Sequence, residues 1–274
     1  MTTFKKNISL SFITALSKLI GGIGILILLA RFLSLSEFGM FTYILTITSS
    51  IILFVDYGFN IKLLIDIPRN NNLIEKTISI AILIKCLFFI FISSVILIVY
   101  YLDILEIEQF LLTSSVFISL FLFSINNTFL SVFKSTNRYL LEMKIVVVDN
   151  ILSFTLVCMA LFFSEEIYLI GIALVSAKTI SCILSYYYYN QQFTLYFVDF
   201  RKQINEIRIG FPFAIHYIIG NIFLNIDTLI LAYFVSQQDL GIYQSGIRLI
   251  IGSGVLLTIV NSIYLPLLSK EAQL

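Results

Sequence analysis

Five ionisable side chains interrupt runs of residues otherwise apolar enough to cross a membrane: Lys18, Lys85, Lys178, Asp227 and Arg248. A charge at the centre of a bilayer costs about 2.5–3.5 kcal/mol on an insertion scale, so each of the five needs a partner, a wet cavity or a route to the surface. Four are cations. A low-dielectric cavity with surplus positive charge attracts an anion such as a phosphate or pyrophosphate group. The one anion, Asp227, sits in the stretch NIDTLILAYFVSQQDLGIY (225–243), and a helical hairpin would carry it to Arg248. Such a pair either fixes two helices to one another or forms part of the cavity, with Asp227 gating or orienting Arg248.

The elements that carry these residues follow from composition. Of 274 residues, 59% are hydrophobic and 12% charged, mean hydropathy is +1.01, and there are three prolines and no tryptophan. A soluble domain carries roughly 25% charged residues. The chain therefore reads as an all-α polytopic membrane protein. At about 20 apolar residues per crossing there are eight candidate spans: Ile13 to Ala30, Met40 to Phe59, Ile78 to Tyr101, Leu111 to Phe133, Ile145 to Phe163, Ile167 to Tyr189, Phe211 to Phe234 and Ile242 to Leu265. The first begins after Lys5 and Lys6, as a signal peptide would. Its length and the lack of an A-x-A-like site after it favour a retained helix.

Cations mark one side of the membrane. Lys5, Lys6, Lys62, Arg69, Lys76, Lys134, Arg138, Lys144, Arg201, Lys202, Arg208 and Lys270 fall in alternate connections, while the opposite connections hold Arg31 alone among several acids. Twelve against one is a positive-inside pattern that places both ends of the chain in the cytoplasm. On that topology Lys18 and Lys85 lie within about two turns of the cytoplasmic face, where a lysine can snorkel, whereas Lys178 is near mid-membrane. Lys18 shares a helix face with Ser11, Thr14, Gly21 and Gly22, and Lys178 with Gly171, Cys182 and Ser185. Close helix packing explains the small residues but not a lysine among them. His216, Gly220 and Asp227 align in the same way in the seventh span, and His216 reads as a packed or cavity-edge histidine.

Net charge is +1, which gives no field for nucleic acid, and Cys86, Cys158 and Cys182 lie in apolar runs without metal or disulfide spacing. No Walker motif, GxSxG, HExxH or Asp-rich loop appears, so the chain reads as a non-enzyme without metal or cofactor. Placing Gly39 over Gly241 aligns Ala30 with Ala232, Phe32 with Phe234, Ser34 with Ser236, Glu37 with Asp239, Phe38 with Leu240 and Phe41 with Tyr243. The offset of 202 spans six helices, which makes a parallel repeat. The expected organisation is a six-helix lobe over 1–190, a cytoplasmic connection over 191–209, and two helices of an incomplete second lobe over 210–274.

The stretch GFPFAIHYIIGNIFLNIDTLILAYFVSQQDLGIYQSGIRL (210–249) resembles the seventh and eighth helices of bacterial polysaccharide and O-antigen flippases, in the multidrug/oligosaccharidyl-lipid/polysaccharide exporter superfamily. The shared pattern is G-x-P at the helix entry, I-D-x-L, then G-x-Y and R-L. ARFLSLSEFGMFTY (30–43) is similar to that family's first hairpin through Arg31, Leu33, Glu37, Phe38, Gly39 and Phe41. The resemblance implies a two-lobed protein that moves an undecaprenyl-pyrophosphate-linked oligosaccharide, an O-antigen or capsule repeat unit, across a bacterial inner membrane by alternating access. It implies as partners that lipid-linked oligosaccharide, membrane lipid and other membrane proteins of polysaccharide and lipopolysaccharide assembly. It also implies a second lobe longer than this sequence holds, so the chain reads as cut short, or else as a true eight-helix protein with a chance repeat. A cation-coupled drug or small-molecule exporter of the same superfamily, and a non-transporting subunit or polymerase, are the alternatives.

Overall fold

A computed structural model describes residues 2–69, 74–163, 166–195, 200–223 and 225–247. They form nine helices: α1 (Thr2–Phe32), α2 (Leu35–Asp56), α3 (Phe59–Arg69), α4 (Ile74–Tyr101), α5 (Ile107–Ser135), α6 (Tyr139–Phe163), α7 (Tyr168–Asn190), α8 (Phe200–Phe223) and α9 (Ile226–Phe234), followed by helical residues 237–247. Six of these, α1, α2 and α4 to α7, are long and apolar enough to cross a membrane, and α8 with α9 makes a seventh if the bent pair is one span. The chain is an all-α polytopic membrane protein. Of the eighth expected span, only 242–247 lie among the described residues.

Two apolar clusters fix the up-and-down course of the bundle. One joins Leu29 of α1, Phe38 and Phe41 of α2, Leu112 and Val116 of α5, Val157 of α6 and Ile170 of α7. The other joins Leu63 and Ile67 of α3, Ile74 and Ile78 of α4, Phe129 and Phe133 of α5, Ile145 of α6 and Tyr189 of α7. Helix starts and helix ends thus alternate between two poles. The second pole is the cation-rich one, since the helix ends and the connection there carry Arg69, Lys76, Arg138 and Lys144. Between the poles α5 packs against α7, α2, α3 and α4. Its contact with α7 is close because Gly171 abuts Ser115 and the side chain of Asn126 donates to Ser181 Oγ at 2.8 Å and accepts from Ser185. Small and hydroxylated residues permit this approach where lipid offers no hydrophobic drive. Large side chains such as Leu87, Ile90, Phe91, Phe162 and Phe163 are exposed, as befits surfaces turned to hydrocarbon.

Three features depart from the sequence reading. The connection between the second and third spans contains α3, whose buried face seats Phe59, Leu63 and Ile67. The connection expected over 191–209 turns helical at Phe200, so Pro212 lies inside α8 instead of at its entry. The expected continuous seventh span bends by 48° between Phe223 and Ile226. There the amides of Asn221 and Asn225 donate back to the carbonyls of Tyr217 (2.7 Å) and Asn221 (3.2 Å), and Asp227 Oδ1 accepts the Thr228 N–H at 2.8 Å. Short polar side chains that bond locally in this way compete with the helical ladder.

The chain turns from α2 into α3 through Tyr57 (φ 48°) and Gly58 (φ 68°), both left-handed. A Cβ on Gly58 would lie 2.8 Å from the carbonyl of Phe213 in α8. A side chain there meets both the left-handed penalty, about 1–2 kcal/mol, and a backbone that cannot step aside. Gly58→Val in the purified full chain is expected to lower the thermal unfolding midpoint in detergent by several degrees relative to wild type, and an unchanged midpoint would refute this account of the turn.

Candidate functional site

Four helices meet at the ammonium group of Lys85 on α4, and a fifth reaches its counter-ion. Asp56 ends α2, Asn60 begins α3, Ser124 and Thr128 lie one turn apart on α5, and Tyr217 comes from α8. Lys85 Nζ is 2.8 Å from Asp56 Oδ1 and also reaches Thr128 Oγ1 (2.9 Å), Ser124 Oγ (3.0 Å), the Ser124 carbonyl (3.1 Å) and Asn60 Oδ1 (3.2 Å). Asp56 Oδ1 accepts from Ser124 Oγ as well, and Oδ2 accepts from the Tyr217 hydroxyl at 3.3 Å. Lys85 has no exposed surface and Asp56 is 6% exposed. The lysine therefore does not snorkel; its charge is matched inside the bundle.

The second centre is more open. Lys178 Nζ of α7 is 2.7 Å from Asp149 Oδ2 of α6, donates to Ser153 Oγ at 3.2 Å, and stands 5.3 Å from the centre of the Phe123 ring. A cation over a ring face adds roughly 0.5–2 kcal/mol of attraction. Asp149 Oδ1 is buried and has no hydrogen-bond donor. Two turns earlier on the same face of α6, Glu142 is fully buried, 3.1 Å from Lys134 Nζ of α5, at an angle that makes no hydrogen bond. Lys18 of α1 lies within electrostatic range of Lys134, Glu142, Asp149 and Lys178. It is exposed and makes no hydrogen bond or ion pair with a described residue. Beside it, Asn150 Nδ2 donates to Ser17 Oγ at 3.1 Å and fills the space next to Gly21, which brings α1 against α6.

Of the five residues singled out in the sequence, Lys18 and Lys178 thus share one neighbourhood, and Lys85 lies in a separate, closed network. Asp227 is elsewhere, in the hairpin of α9 and residues 237–247. There its Oδ2 accepts from the Tyr243 hydroxyl, and Thr228 Oγ1 accepts from Gln244 Nε2 at 2.8 Å. Arg248 lies outside the described residues. His216 is exposed on α8. The cation excess counted in the sequence left out Asp56 and Asp149, although both fall inside the expected spans Met40 to Phe59 and Ile145 to Phe163. With them, Lys85 and Lys178 are neutralised where they stand, and Lys18 carries the unmatched ammonium of the group.

Breaking a buried ion pair by removing one partner costs about 3–5 kcal/mol, whereas replacing both by apolar residues is often neutral. Asp56→Leu and Lys85→Met are each expected to lower the unfolding midpoint of the detergent-solubilised chain sharply, and the double variant to recover most of the loss. Two single losses that simply add in the double variant would show that the pair is not the binding element.

Comparison with known proteins places the chain by family. A family model described as polysaccharide biosynthesis protein matches residues 4–271. No curated protein and no solved structure matches.

Proposed function

The chain belongs to the polysaccharide biosynthesis protein family, and from that premise we propose that it flips a lipid-linked oligosaccharide pyrophosphate, such as an undecaprenyl-pyrophosphate-linked O-antigen or capsule unit, by alternating access across a bacterial cytoplasmic membrane. The observation that carries this reading is Lys18, an exposed lysine with no hydrogen-bond or ion-pair partner among the described residues, set among Lys134, Lys178 and the buried carboxylates of α6. Lys178 is oriented by Asp149, Ser153 and Phe123, so its approach direction is fixed before any ligand arrives. Lys18, which has no such contact among the described residues, is left to meet a diphosphate. The carboxylates of Glu142 and Asp149 hold the lysines together against their mutual repulsion and keep the anion from being gripped too tightly to leave.

The direction of movement follows from the cation distribution. The pole with Arg69, Lys76, Arg138 and Lys144 faces the cytoplasm under the positive-inside tendency. Lys18 is at the middle of α1, in range of Lys178 and Asp149, where a diphosphate entering from that pole would meet it. The protein contributes position and charge, and no bond is made or broken. The lipid tail stays in the bilayer beside the apolar outer surfaces of the bundle.

The test is Lys18→Gln in cells whose surface polysaccharide depends on this protein. Loss of one charge contact worth about 1.4 kcal/mol gives roughly a tenfold fall in exported polysaccharide, with unchanged membrane-inserted protein and recovery in Lys18→Arg. Wild-type polysaccharide in Lys18→Gln would remove the assignment.

A further inference from the structure

The two stretches aligned at an offset of 202 residues touch each other. Under that offset Leu35 corresponds to Gln237 and Gly39 to Gly241. A Cβ on Gly39 would collide with the carbonyl of Gln237, and a Cβ on Gly241 would lie 2.8 Å from the carbonyl of Leu35. Each would also come within 3.3 Å of the other glycine's amide nitrogen. Residue i of one copy meets j of the other while j meets i, which is the signature of a two-fold, isologous contact. The two helix starts are built alike. Ser34 Oγ donates to Glu37 Oε2 at 2.7 Å and accepts the Glu37 N–H at 3.3 Å; Ser236 Oγ donates to Asp239 Oδ2 at 2.6 Å and accepts the Asp239 N–H at 3.2 Å. The equivalent neighbours Phe38 and Leu240 are 3% and 2% exposed.

We propose that this glycine pair is a closure seam: the N-terminal bundle and the α8–α9 unit with its following helix shut against each other, backbone to backbone, at the cation-poor pole, and part there to open. The idea rests on the alternating-access reading for its role, but not for its geometry. Two glycine surfaces without interlocking side chains make a contact that is close yet separable. The same unit also meets the far end of α2, through Gly58 against Phe213 and through Asp56 with Tyr217. That contact is not two-fold.

The experiment is a spin-label distance measurement on the full chain in lipid nanodiscs, with Cys86, Cys158 and Cys182 changed to Ser and labels on Leu35→Cys and Gln237→Cys, both exposed positions. The expected result is a short and a longer distance population. Gly39→Leu and Gly241→Leu should each reduce the short one by roughly tenfold or more, as overpacking against fixed backbone does. Gly246→Leu, whose added side chain starts in open space, should leave it intact and controls for insertion and folding. A short population that survives Gly39→Leu, or one fixed distance in all variants, overturns the seam. Loss of the short population with full polysaccharide export overturns its part in transport. If the label-bearing parent shows both distances and their dependence on Gly39 but exports nothing, the seam stands and the transport reading falls.

Discussion

The contact on which the rest of the bundle depends is the enclosed pair of Asp56 and Lys85. Neither charge could stay in an apolar interior alone. Meeting that requirement draws the end of α2, the start of α3, the middle of α4 and one face of α5 to a single point, and Tyr217 adds α8. Helix association in lipid lacks a hydrophobic drive, so polar contacts of this kind set register as well as strength. Once α5 is held on that face, its opposite face presents Ser115 and Asn126 to α7, and the tight α5–α7 contact follows.

The second pair is built differently. Asp56 uses both of its oxygens, whereas Asp149 leaves one unused and Glu142 meets Lys134 without a hydrogen bond. A saturated network rigidifies, and an unsaturated one has capacity for a further group. The bundle therefore divides into a locked half around Lys85 and an incompletely satisfied half along α6, with the exposed ammonium of Lys18 at the edge of the latter.

The membrane helices were legible because hydropathy over some twenty residues is a strong signal. Helix α3 was not, since its buried residues, Phe59, Leu63 and Ile67, recur at one-turn spacing in a mixed stretch of 11 residues, too short to cross. The bend at Asn225 was hidden because a helical wheel assumes an unbroken helix, and only the asparagine cluster at 221 and 225 hints otherwise. The lysines were found, but their partners were missed. Asp56 and Asp149 could have been found by asking which carboxylates fall inside the same spans, for a buried lysine implies one. The equivalence of Gly39 and Gly241 was visible in sequence, but that the two copies meet at those residues depends on how the helices are placed in space.

The pairing of the lysines also has an electrical side. Moving one elementary charge across a membrane potential involves about 2.3 kcal/mol per 100 mV. Lys85 with Asp56 and Lys178 with Asp149 are dipoles without net charge, so a rocking motion that carries each pair as a unit does no work against the potential. Lys18 has no such counter-ion among the described residues. Any tilt of α1 that changes its depth is felt by the field, and an anion bound to it would cancel or reverse that response. Voltage would then act on the empty and the loaded protein in different ways.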